Sequence, residues 1–173
     1  MYLVSLYFDD KTDKIIRKYI KKIASESKNT YMIDNSVPPH ITLSAFETQK
    51  ENVVIEQIEQ LIDKIGQGTI KWVSVGAFLP HVLYVQPVLN TYLYELSESL
   101  YNNLKNINDI LIQTCYQPFN WIPHTTLAKK LSEEDMIVAF KVLSKSFTIF
   151  EGRCVKITVT KTNPYRDIRS WDL

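Results

Sequence analysis

The chain has 173 residues, 45% of them hydrophobic and 23% charged. That is the size and make-up of one globular domain, and it excludes a disordered, collagen-like or fibrous protein. Twenty Lys and Arg against nineteen Asp and Glu leave a net charge of +1, so any nucleic acid has to be held by a local site, not recruited by a global basic field.

Residues 2 to 8 (YLVSLYF) are aromatic, β-branched and leucine-rich and stop at Asp9-Asp10, which predicts a buried strand. The stretch has no basic n-region and meets those acids too early for a secretory signal, and no later run approaches the length of a membrane span. From Thr12, the residues Ile15, Ile16, Tyr19, Ile20, Ile23 and Ala24 recur at helical spacing, with lysines and an arginine between them on a solvated face. Residues 25–39 are polar and broken by two prolines, a loop that feeds the alternating strand His40 to Phe46. Alternation places His40, Thr42 and Ser44 on one face of it. A helix over 52–65 ends at Gly66, and strands over 69–79 and 82–86 flank the Pro80-His81 turn as an antiparallel pair.

The second half repeats the order. Leu89, Leu93, Leu96, Leu100, Leu104 and Ile107 form a long helical stripe closed by an Asn-rich segment. A loop through Gln117-Pro118 leads to a strand over 119–129, and Ser132 with Asp135 makes a capping signal for the next helix. Residues 147–160 supply a final strand or strand pair, and the polar tail 161–173 carries Trp171 and Leu173 as anchors. Cys115 and Cys154 fit no disulfide or zinc pattern, and both read as buried thiols of a protein in the reducing cytoplasm.

Pro39-His40-Ile41-Thr42-Leu43 is matched by Pro123-His124-Thr125-Thr126-Leu127, so the two histidines lie 84 positions apart, about half the chain. This predicts one domain, 1–173, built of two pseudo-repeats of about 1–80 and 81–173. On a strand, His-x-Thr sets an imidazole beside a hydroxyl. Two such pairs facing one cleft can divide an in-line displacement at phosphorus: one imidazole removes the nucleophile's proton and the other protonates the leaving oxygen. The threonines would hold the nonbridging oxygens, where charge accumulates. A single His-x-Thr is most simply a satisfied core histidine; the matched second copy argues for function. His81 is the internal control, with Pro80 before it but no threonine two residues on. Neither motif histidine has a second histidine or carboxylate at ligand spacing, and the chain lacks a glycine-rich phosphate loop and a GxSxG elbow, so no metal and no cofactor is expected. Among nearby aromatics, Tyr31, Phe46, Tyr116, Phe119 and Trp121, the loop residues Tyr116 and Phe119 are the candidates to stack on a base.

At these motifs the sequence resembles the two-histidine phosphoesterase superfamily, in particular its branch of 2'-5' RNA ligase-like proteins and RNA cyclic phosphodiesterases. The resemblance implies an α+β fold, bilobal and pseudo-twofold, with antiparallel sheets lining a central cleft and helices outside. It implies a metal-independent phosphoesterase that opens 2',3'-cyclic phosphates of RNA ends or nucleotides, or that cleaves or joins 2'-5' linkages. His40 and His124 would be the acid and base, with their roles left open, and Thr42 and Thr126 would bind the phosphate. Several members carry an arginine shortly after the second motif; here Lys129 and Lys130 stand there, and strand parity favours Lys130 as the substrate contact. The expected partners are RNA ends or nucleotide cyclic phosphates, with no membrane, and the chain is expected to act as a monomer. The rival reading is a noncatalytic RNA-end or nucleotide binding module.

Overall fold

The computed structural model describes residues 1–62, 64–162 and 166–173. Its elements in chain order are β1 (Tyr2–Phe8), α1 (Asp10–Ser27), α2 (Tyr31–Asp34), β2 (Ile41–Glu47), α3 (Glu51–Ile62), β3 (Gly68–Phe78) and β4 (Val82–Pro87). They continue with α4 (Thr91–Leu104), β5 (Leu111–Ile112), a 3-10 turn over Thr114–Tyr116, β6 (Thr125–Lys129), α5 (Glu133–Ser146), β7 (Phe150–Lys161) and β8 (Arg166–Asp172). Every ladder is antiparallel. The expected α+β class holds, and the strands form one eight-stranded sheet in which seven follow the order β5-β2-β1-β7-β3-β4-β6 and β8 pairs with β7 off this path. Strand β7 is the join. Its Phe150–Cys154 part pairs with β3, while its Cys154–Lys161 part pairs with β1 on one edge and, from Lys156, with β8 on the other.

Local chemistry sets the helix starts. Asp9 accepts from Thr12 N (2.9 Å) at α1, Asn90 accepts from Leu93 N (3.0 Å) at α4, and Ser132 with Asp135 forms the expected capping box at α5. Helices α1 and α5 pack together, as do α3 and α4. The core runs through Val4, Leu6, Ile16, Ile23, Ile41, Phe46, Ile58, Leu83, Leu100 and Leu127, all nearly or fully buried. At its centre Trp72 stacks on Phe150 (4.9 Å, 10°), meets Phe8 edge-on (5.0 Å, 87°), and donates Nε1–H to Thr125 Oγ1 (3.1 Å). None of the described helices is long and apolar enough to cross a membrane.

Four expected elements differ. The loop expected over 25–39 holds the end of α1 and the short helix α2. The strand expected over 119–129 starts only at Thr125, because Pro123 has no N–H to give to a ladder and Phe119 sits at φ 66°, outside strand conformations. The helix expected from Leu89 begins after the Asn90 cap and leaves Leu89 exposed. The tail expected beyond Lys161 contains β8, with Ile168 and Trp171 turned to the core; its residues 163–165 lie outside the described set.

Candidate active site

Each motif histidine stands at the entrance of its strand after a buried proline, and each is held by the same bond. Nδ1 of His40 lies 2.8 Å from the Pro38 carbonyl, and Nδ1 of His124 lies 2.9 Å from that of Ile122. A carbonyl only accepts, so both Nδ1 atoms carry the proton, and Nε2 of each neutral ring is left with a lone pair to take one. Both rings have aromatic partners on nearby strands. Tyr7 lies 5.9 Å from His40, while Tyr84 (5.3 Å) and Phe78 (4.8 Å, edge-on) flank His124. Burial is the main force on both imidazoles and holds both below the ordinary histidine range. The bonds to the carbonyls oppose it, and repulsion from His124 and Lys129 lowers His40 further.

The ladders show which side chains share the site face. In both motifs the residue after the threonine is a β-bulge: β1 steps from Ser5↔Thr42 to Val4↔Ser44 and skips Leu43, and β4 steps from Tyr84↔Thr126 to Leu83↔Ala128 and skips Leu127. Facing partners point to one side of a sheet, so Ser5 and Tyr7 join His40 and Thr42, and Gly76, Phe78 and Tyr84 join His124 and Thr126. The bulges correct two expectations of alternation. Ser44 pairs with Val4 on the core face, where its Oγ is buried with no hydrogen-bond partner. Lys129 pairs with Val82 and so returns to the site face, while Lys130, at φ 58°, lays its ammonium 4.8 Å from the Tyr31 ring centroid.

A strap carries the second motif to the first. Residues 111–121 run back along the free edge of β2: Leu111 and Ile112 pair with Glu47 and Phe46, and Gln113 N donates to Ala45 O (2.9 Å). The Tyr116 ring lies against the Thr42 side chain, and buried Trp121 donates Nε1–H to Thr42 O (3.0 Å). Pro123-His124 follows at once, so the strand bearing His40 and Thr42 templates the position of His124.

Two cavities open beside the histidines. One of about 260 Å³ is lined by Ser5, Tyr7, Tyr31, Asn35, His40 and Thr160 among others. The second, about 300 Å³, is lined by Phe78, Cys115, Tyr116, Asn120, Trp121 and His124 among others.

The sequence profile of the 2'-5' RNA ligase superfamily matches residues 12–165. The chain belongs to that superfamily. Its fold is similar to that of Escherichia coli LigT solved with 3'-AMP, at TM-score 0.64 and 15% identity over 99% of this chain and 97% of that one. The LigT structure solved with NADP+ aligns at TM-score 0.56 and 16% identity, over 99% and 96%. No match was found among curated protein sequences.

For this member of the 2'-5' RNA ligase superfamily, the structure brings His40, Thr42, His124 and Thr126 onto site faces, with Tyr116 against Thr42. Phe119 is 91% exposed and lies 6.4 Å from Tyr94, apart from the residues lining either cavity. His81 is an exposed turn residue whose Nδ1 bonds Leu131 O (2.9 Å), as its missing threonine implied. Cys154 is buried as expected, but Cys115 is exposed, because the 3-10 turn that bends Tyr116 onto Thr42 leaves its neighbour outside. Sequence reasoning missed Ser5, Tyr7, Phe78, Tyr84 and Lys129 on the site face. The signal was there for Tyr84: it faces Gly76, where an added Cβ would come within 2.6 Å of the tyrosine ring.

Proposed function

We propose that this superfamily member is a metal-independent phosphoesterase that opens 2',3'-cyclic phosphates at RNA ends or on nucleotides. The observation that carries the reading is the matched pair of imidazoles, each with Nδ1–H tied to the carbonyl two residues back and Nε2 left for proton transfer. The geometry also favours a division of roles. His40 feels burial and the charges of His124 and Lys129, which keep it neutral and suited to act as base; His124, lowered by burial alone, is suited to act as acid. In the proposed step, water loses a proton to His40 Nε2 and its oxygen bonds phosphorus. The bond from phosphorus to the 2' or 3' oxygen breaks, and that oxygen takes a proton from Nε2 of His124, which enters the step as the imidazolium, protonated at both ring nitrogens. Thr42, Thr126 and Lys129 would stabilise the nonbridging oxygens. The 3'-AMP in the LigT structure, a nucleoside with a terminal phosphate, is the kind of product this step leaves. The matched carbonyl bonds and bulges support reading the chain as two pseudo-repeats.

The test is incubation with 2',3'-cyclic mononucleotides, cyclic-phosphate-ended RNA and 2'-5' dinucleotides, with product analysis and with EDTA present. Ring-opened monophosphate from the cyclic substrates, unaffected by EDTA, is the expected result. Affinity without product would make the chain a binding module, and complete loss in EDTA restored by a divalent ion would point to Lewis-acid chemistry.

A further inference from the structure

We propose that the outer face of α1 and α5 binds the sugar-phosphate backbone of single-stranded RNA whose end occupies the His40–His124 site. The proposal rests on the phosphoesterase reading and adds to it that the substrate is a chain and not a mononucleotide. Helix α1 carries six Lys and Arg against three Asp and Glu, an excess of three charges in a protein whose total is +1. Its exposed cations follow helical spacing, and Lys14, Lys18, Lys21 and Lys22 line a groove of about 530 Å³. Lys22 also belongs to an adjoining groove of about 620 Å³ with Lys141 and Lys145 of α5. Asp13 pairs with Arg17, and Glu26 stands in the second groove, yet none of these six lysines enters an ion pair among the described residues. The first groove is walled by lysine, arginine and serine side chains, whose charged ends suit a phosphate chain better than a lipid surface, while Val138 and Val142 of α5 wall part of the second.

The track leads to the site. Lys28 closes α1 in the left-handed conformation, Asn29 donates to the Lys130 carbonyl (3.2 Å), and Lys130 lies over Tyr31, a wall of the His40 cavity. An RNA strand leaving that cavity past Tyr31 and Lys130 meets the C-terminal end of α1, which is about 27 Å long.

The test is fluorescence anisotropy with a labelled RNA decamer ending in a 3'-phosphate, against labelled 3'-AMP as the mononucleotide, neither of which the proposed reaction consumes. In the triple variant Lys18→Glu, Lys21→Glu, Lys141→Glu, decamer affinity should fall at least ten-fold at low salt. The slope of log affinity on log salt should fall by about 2, and 3'-AMP binding should stay unchanged. The triple Lys→Gln variant at the same positions should lie between, which guards against a fold defect in the first. Unchanged decamer binding, an equal loss for both ligands, or wild-type protein that prefers phosphatidylserine vesicles to the decamer overturns the proposal. Intact decamer binding with no turnover of any cyclic phosphate would defeat only the phosphoesterase reading.

Discussion

Leu43 and Leu127 are the residues their partner strands skip, and the effect falls on single side chains. Ser44 is turned into the core with an unpaired hydroxyl, whose burial costs about 1 to 3 kcal/mol. Ser44→Ala should therefore leave stability unchanged or raise it by about 1 kcal/mol in urea denaturation, the reverse of the usual sign for a buried polar residue. On the site face the logic is catalytic. His40→Ala and His124→Ala should each lower kcat by about 10² to 10⁴-fold, and Thr42→Val and Thr126→Val by about 10 to 10³-fold, with His81→Ala within a few-fold of the parent. Both imidazoles titrate below the ordinary value near 6.5, so the profile of kcat/KM should be bell-shaped with its optimum on the mildly acidic side of neutrality. An optimum above pH 8 would remove His124 from the role of acid. Alternation made the two His-x-Thr pairs legible from sequence. It could not show Lys129 or misplace Ser44 less, because one extra residue in a strand reverses the parity of everything after it.

Helices, with their caps and apolar stripes, were read closely from sequence because their signals are local. The strap over 111–124 was not: its order comes from the far edge of β2, through Phe46, Ala45 and Thr42, and nothing in its own composition announces it. The polar strand β8 was hidden for a similar reason, since among the described residues β7 is its one ladder partner and its inward residues are few. Trp121→Phe tests the strap. It keeps the buried ring but removes the N–H that pairs the Thr42 carbonyl, so stability should fall by about 1 to 3 kcal/mol. The sharper readout is kinetic: kcat should fall with KM little changed, because His124 then loses its register against His40 while the cavity walls stay. Equal kcat in the folded variant would leave the strap a purely structural element. Gly76→Ala should act through Tyr84 instead, displacing a ring that packs on His124.

At the scale of the whole molecule, two histidines held below their ordinary range bias stability with pH. The unfolded chain takes up protons as pH falls through about 6.5 while the folded one resists, so stability is full above that value and is lost on acidification. The melting temperature should drop between pH 7.5 and 5, and by less in His40→Gln/His124→Gln. The shared strand has a consequence of another kind. Tyr2 pairs with Lys161 and Phe8 with Cys154, so β1 is closed on its second edge by a strand synthesised well over a hundred residues later. During translation, β1 and β2 can meet as a hairpin-like pair, but the edge of β1 that β7 will cover stays open until β7 itself has left the ribosome. Pairings of such long sequence separation fold slowly and leave strands exposed to wrong partners meanwhile. Nascent chains stalled before residue 147 should remain sensitive to protease and hold neither histidine in place, so that the segments carrying His40 and His124 cannot mature one after the other.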